Sequence, residues 1–270
     1  DSRAMFTRLA RGLAANKCNV LRFDFLGAGI NEGGYQHNTF STFTDILDII
    51  ITTTKEKFVS IKKVVLIAFS DGLKASCSLL NKRNDIVAIC SCNGIICHEE
   101  TKNAIERPMR INGDIVYNSN YGLWINYKIV EQYKNYEILD DYIFNNIDLY
   151  GVYSEFDQFT INSKNYFKKH AKQYTEIKNA DHLFTKDDFV AQMIDSVTKM
   201  LKKQFSCEAK GMQAEFIDNI FLSMDLSKKT KDVIVFVHGL GQNKSGPGFL
   251  FNQIAQRISG FYNYCLFDFT

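Results

Sequence analysis

Two prolines are all that the 270 residues contain, and neither Pro108 nor Pro247 falls in a segment that reads as a strand, as strand geometry requires. No stretch approaches the roughly 18 apolar residues of a membrane span, so no spanning helix is expected. Residues 1–20 lack the ordered charged, apolar and small segments of a secretory leader. An excess of one charge is missing as well. The 32 basic and 30 acidic residues are scattered along the chain and leave a net charge of +2, which gives no electrostatic footprint for nucleic acid or an anionic membrane. Cysteine and histidine pairs at zinc spacing are also absent. Cys90, Cys92 and Cys97 lie in or beside an apolar run, where thiols act as small buried hydrophobes rather than metal ligands. The cysteine count, seven, is odd, which suits a reducing cytoplasm better than a disulfide framework. No metal and no organic cofactor is called for.

What is present is the composition of a folding globular chain, 46% hydrophobic and 23% charged, with length enough for one main domain. Helices are expected at 3–15, 39–57, 71–82, 161–171 and 187–204. Strands are expected at 19–25, 63–69, 86–92, 147–153 and 173–177, with a mixed insertion over 97–145. Strands alternating with helices predict an α/β fold: a mainly parallel twisted sheet with helices on both faces, carrying a small cap.

The chain also repeats itself. Phe6, Leu9, Ala10, Leu13 and Phe23-Asp24-Phe25 correspond, about 245 residues on, to Phe251, Ile254, Ala255, Ile258 and Phe267-Asp268-Phe269. Two arrangements follow: a window from a tandem array, which is the expected one, or a permuted domain with overlapping ends. Residues 1–207 then form a core lacking its first strands. Residues 208–270 begin a second copy, with a hairpin over 215–224 ahead of the strand Val233–Val237.

The strongest local signal is Val64-Val65-Leu66-Ile67-Ala68-Phe69-Ser70-Asp71-Gly72, an apolar strand running into a small-x-Ser-x-Gly turn and then a helix. A tight strand-to-helix turn of this kind, a nucleophile elbow, lifts the serine hydroxyl above the end of the strand. The helix N-terminus then favours negative charge developing nearby. Ala68 stands where glycine is usual. A plainer role for Ser70 is to cap the helix.

Order along the chain favours catalysis. Asp157 follows the strand at 147–153 and His182 follows the strand ending near Ile177, which gives the sequence nucleophile, acid, histidine. Glu155 is the alternative acid. An oxyanion hole needs backbone donors, of which Asp71 N–H would be one. The second would normally come from a His-Gly turn after an earlier strand. The only such turn is His238-Gly239-Leu240-Gly241, so Leu240 N–H is the candidate if Val233–Val237 fills the sheet between the strands of Asp24 and Ser70.

These residues resemble an α/β-hydrolase of the esterase and acyl-thioesterase kind. Arg22-Phe23-Asp24-Phe25-Leu26-Gly27-Ala28-Gly29 with Glu32-Gly33-Gly34 resembles that family's post-strand loop. Asn112-Gly113-Asp114-Ile115-Val116 is similar to a stretch in myristoyl-type thioesterases. The resemblance implies an acyl-serine mechanism on a small ester or thioester, with Ser70 as nucleophile, His182 as base and Asp157 orienting it. Cap aromatics Tyr117, Tyr121, Trp124, Tyr127 and Tyr133 would either line an acyl or aryl site or pack the cap onto the sheet. Two other readings use the same residues: an acyltransferase, and a non-catalytic binding repeat on the same fold.

Overall fold

The apolar run Val64–Phe69 becomes strand β1, and its β-branched residues suit a pleated surface packed on both faces. A computed structural model of the chain describes residues 5–16, 18–26, 34–59, 61–96, 109–111, 113–118, 124–134, 147–202, 213–217, 220–225, 233–236, 254 and 263–267. The chain divides into two units, one of residues 1–5 and 23–201, the other of residues 6–22 and 202–270.

In the first unit, β1 lies at one edge of a parallel four-stranded sheet. Next come β2 (Ile86–Cys92), then β6 (Asp148–Ser154), then β7 (Gln173–Ile177). The register Ala68↔Ser91 and Ser91↔Gly151 brings the carboxyl ends of β1, β2 and β6 level. Ligands of open α/β sheets bind at this end, because the loops leaving neighbouring strands converge there.

The helices follow from their patterns. α2 (Phe40–Lys57) starts with a capping box: Thr42 N–H donates to Thr39 Oγ1 at 3.2 Å, and Thr39 N–H donates to Thr42 Oγ1 at 2.6 Å. Its buried Phe40, Phe43, Thr44, Leu47 and Ile51 fall on one helical face. α3 (Gly72–Leu79) is too short to hold itself together in water and is buried almost all round, with Leu73, Cys77 and Leu79 fully inaccessible. α5 (Ile161–His170) and α6 (Asp187–Lys202) follow β6 and β7. Leu47 and Ile51 of α2, Leu66, Leu73, Ile89, Tyr153 and Phe167 pack into a single core cluster.

The insertion has its own small antiparallel sheet, β3 (Met109–Ile111), β4 (Asp114–Asn118) and β5 (Trp124–Asn126), followed by α4 (Tyr127–Lys134). It is fastened to the start of α2 by side-chain amides. Phe40 N–H, in the first turn of the helix where no intrahelical acceptor is available, donates to Gln132 Oε1 at 2.8 Å, and Asn126 Nδ2 donates to Gln36 O at 2.8 Å. Ile129 joins Phe40, Phe43 and Ala75 in a second apolar cluster, against which Phe25, Tyr35 and Ile125 pack. Trp124 and Tyr127 are half-buried. Tyr121 and the side chains of Tyr117 and Tyr133 lie outside the described residues.

The second unit contains most of helix α1 (Met5–Ala15), in which Leu9 and Leu13 are buried. It also contains β8 (Gln213–Ile217), β9 (Ile220–Asp225), β10 (Val233–Phe236) and β11 (Asn263–Phe267), in the order β10-β11-β9-β8. The expected hairpin is there, β8 antiparallel to β9.

One expectation is corrected. Residues 19–25 form no strand, and Val20, Leu21 and Phe23 are exposed. The same pattern's second copy, at Asn263–Phe267, is the strand, parallel to β10 on one side and antiparallel to β9 on the other. The described partner of Val233–Phe236 is thus β11 and not the segment around Asp24. A strand exists only where its backbone donors and acceptors find partners, so two similar segments can have different fates. Residues 6–22 group with residues 202–270.

Candidate active site

β1 ends at Phe69, and the chain turns abruptly into α3 through Ser70, whose φ of 52° lies in the left-handed region. A non-glycine residue there costs about 1–2 kcal/mol, so the surrounding structure must hold it in place. The turn is pinned from both sides: Leu73 N–H donates to Ser70 O at 3.2 Å, and Ile95 N–H donates to the same oxygen at 3.1 Å. The helix begins at Gly72 with Asp71 as its N-cap, one residue later than predicted, and the serine side chain points elsewhere.

It points to His182. Ser70 Oγ donates to His182 Nε2 at 3.0 Å, and His182 Nδ1 donates to Asp157 Oδ2 at 2.7 Å. An ionised carboxylate can only accept, so the imidazole proton sits on Nδ1 and Nε2 is left as the acceptor for the serine. Three residues spread over 112 positions of sequence therefore form one chain of hydrogen bonds.

Asp157 is buried, with its side chain at 0% exposure, and its other oxygen, Oδ1, accepts Phe159 N–H at 2.9 Å. Glu155, the alternative acid, faces away: its Oε2 accepts Asn179 N–H at 2.8 Å. His182 is 14% exposed and flanked by rings, with Phe69 and Phe159 each at a centroid separation of 5.4 Å.

The loop that carries His182 is itself braced. Asp181 Oδ1 accepts Leu183 N–H at 2.9 Å, and Thr185 donates its hydroxyl to the same carboxylate. Burial raises the Asp181 pKa, but the Thr185 hydroxyl and the Leu183 and Thr185 amides outweigh burial and hold it below the ordinary carboxylate value. Asn179 and Phe184, at either end of the loop, both have positive φ.

Beside the nucleophile, Lys74 is fully buried. Its Nζ lies 3.3 Å from Asp71 Oδ1 and 5.4 Å from the centre of the Phe40 ring. Tyr35 is raised above its ordinary pKa, first by burial and then by the Asp71 charge.

Of the residues predicted from sequence, Ser70, Asp157 and His182 meet and Asp71 adjoins them, whereas Leu240 lies outside the described residues. His37 is exposed and His170 stacks on Tyr166 at 4.5 Å. Phe69, Phe159, Lys74 and Asn93 also surround the site. Only Phe69 carried a sequence signal, as the residue next to the serine. Among the described residues no helix is long and apolar enough to cross a membrane.

No protein-family model matches the sequence, and no curated protein matches it significantly. Solved structures do. The esterase domain of a Rhodothermus marinus protein superposes with a TM-score of 0.55 at 19% identity, covering 75% of this chain and 82% of that one. Est1E from Butyrivibrio proteoclasticus with ferulic acid bound gives 0.60 at 15% identity, covering 74% and 82%. A polyneuridine aldehyde esterase gives 0.52 at 13% identity, covering 73% and 94%. At these identities it is the architecture that is shared, and on that ground the chain has the α/β-hydrolase fold.

Proposed function

We propose that the chain is a serine hydrolase that cleaves carboxylic esters or thioesters of small acyl groups through an acyl-serine intermediate. The observation that carries this reading is the relay Ser70 Oγ to His182 Nε2 to Asp157, at 3.0 and 2.7 Å, with the serine held at φ 52° at the end of β1. A serine that merely capped a helix would have no reason to occupy a strained backbone position facing an imidazole.

In this reading Ser70 Oγ attacks the acyl carbonyl carbon while His182 Nε2 takes its proton. The carbonyl π pair moves onto oxygen, where Asp71 N–H at the start of α3 is one donor to the oxyanion. As the tetrahedral species collapses, the bond to the leaving alkoxide or thiolate breaks, and His182 hands that group the proton. Water repeats the sequence and frees the acid and the serine. Asp157 keeps Nδ1 protonated throughout and offsets the imidazolium charge. Phe69 and Phe159 shield the ring from water, which strengthens both hydrogen bonds. The likeness in fold to proteins described as esterases supports the same class.

The test is hydrolysis of p-nitrophenyl esters of increasing acyl length, together with labelling by a fluorophosphonate. The intact chain should turn over short esters and take the label, and Ser70→Ala should abolish labelling and lower kcat by about 10³-fold or more. A folded parent that neither labels nor turns over any of the series, thioesters included, sinks the assignment.

A further inference from the structure

Asn93 directly follows β2, the strand that lies between β1 with Ser70 and β6 with the Asp157 loop. It is fully buried, and its φ of 46° places it, like Ser70, in the left-handed region, which asparagine tolerates better than most residues. Each polar group of its side chain is engaged. Oδ1 accepts Ser154 N–H at 2.7 Å, and the two amide protons go to Ser154 Oγ and to the backbone oxygen of His182, both at 2.8 Å. Ser154 Oγ in turn donates to Asp181 O at 2.8 Å. Two carbonyls of the histidine loop are therefore held by one buried polar pair at the end of the sheet.

The same short segment holds the serine. Asn93 N–H donates to Val152 O at 3.0 Å, Ile95 N–H donates to Ser70 O at 3.1 Å, and Gly94 between them has no room for a side chain, since a Cβ there would come within 2.9 Å of Leu73 Cβ. Residues 93–95 thus touch the backbones of both Ser70 and His182, which lie on loops from different strands. A rigid piece that contacts both loops sets the distance between them.

We propose that Asn93 is the positioning residue that fixes His182 against Ser70; the proposal rests on the hydrolase reading above. Only an amide can do this at that point: its oxygen satisfies Ser154 N–H while its nitrogen satisfies a carbonyl. A carboxylate of the same shape keeps the first bond but sets an oxygen against His182 O with no proton between them. The loop would then draw back, and a misplacement of about 1 Å is enough to cost on the order of a hundredfold in rate.

The experiment compares Asn93→Asp and Asn93→Gly with the parent. The second variant keeps the left-handed backbone and removes the amide. Both are assayed for kcat and KM on p-nitrophenyl acetate, for cooperative thermal unfolding, and for the downfield proton resonance of His182 Nδ1–H in its bond to Asp157. Where folding is intact, kcat should fall about tenfold to a hundredfold with KM changed less than about twofold, and the downfield resonance should broaden or vanish. Parent-like kcat and resonance in a folded variant would overturn the proposal. Should Asn93→Asp not fold, Asn93→Gly decides by the same readouts. A parent without turnover counts against the hydrolase reading alone, because the resonance still reports whether Asn93 places His182.

Discussion

Ser70 is held in a conformation its side chain opposes, and that opposition can be measured. Alanine at this position keeps the Cβ that clashes at φ 52°, whereas glycine adopts that angle freely. The relief of about 1–2 kcal/mol is partly offset by the greater freedom glycine gives the unfolded chain, about 0.5–1 kcal/mol. Ser70→Gly is therefore expected to be more stable than Ser70→Ala by about 0.5–1 kcal/mol in urea denaturation, though neither has a hydroxyl. Equal stability would mean that the turn relaxes around alanine and stores no strain. Asp157 and Glu155 make a different point at this scale. Two residues apart on one loop, both are carboxylates within chain reach of an imidazole, and sequence, which favours Asp157, does not separate them outright. Burial does: Asp157 is sealed beneath His182, while Glu155 is engaged by Asn179 N–H.

Between elements, the far end of α2 is tied to the turn before β2 by charge. Arg83 donates to Asp85 through Nη2 at 2.8 Å and to Asp48 of α2 through Nη1 at 2.6 Å, and Lys55 of α2 pairs with Asp85 from the other side. The Arg83 bond foremost, then that of Lys55, overcomes burial and holds the Asp85 carboxyl well below the ordinary carboxylate range. A carboxyl depressed on folding stabilises the native state fully above its unfolded pKa, near about 4, and the contribution is lost as pH falls toward the native value. Asp85→Asn should then cost about 1.5–3 kcal/mol at pH 7, and the gap from the parent should narrow steadily below about pH 4. Chemical denaturation at pH 7, 5 and 3 measures it, and a gap independent of pH would refute the account. This tie also shows where sequence reading stops. β1 and α3 were legible because an apolar run, small neighbours and a serine stand side by side in the chain, and β6 and β7 because their runs are bounded by polar loops. Arg83 and Asp48 are 35 residues apart and Asn93 and His182 are 89 apart, so no local pattern announces either pair. The insertion reads as a mixed stretch in sequence. Among the described residues its three short strands pair with one another alone, and runs of three to five residues are too brief for alternation to register.

At the scale of the whole chain, the two copies of the repeated pattern have been put to different uses, and length of sequence does not decide which. Residues 6–22 open the chain yet belong to the unit made by its end, residues 202–270, where β11 is the strand that their continuation does not form. Helix α1 has Leu9 and Leu13 buried, each contributing about 1.5–3 kcal/mol by removal from water. If that burial is provided inside the second unit, a chain ending at residue 203 leaves both side chains on an exposed helix face, and an amphipathic helix without a partner surface seeks another copy of itself. The shortened chain should therefore bind a hydrophobic dye such as anilinonaphthalene sulfonate more strongly than the full chain and elute from size exclusion as larger species. Leu9→Lys with Leu13→Lys should reverse both effects in the shortened chain while destabilising the full-length one. A truncated chain that stays monomeric and dye-silent would place the burial of α1 elsewhere, and the repeat would then have to be understood without any exchange of partners between its copies.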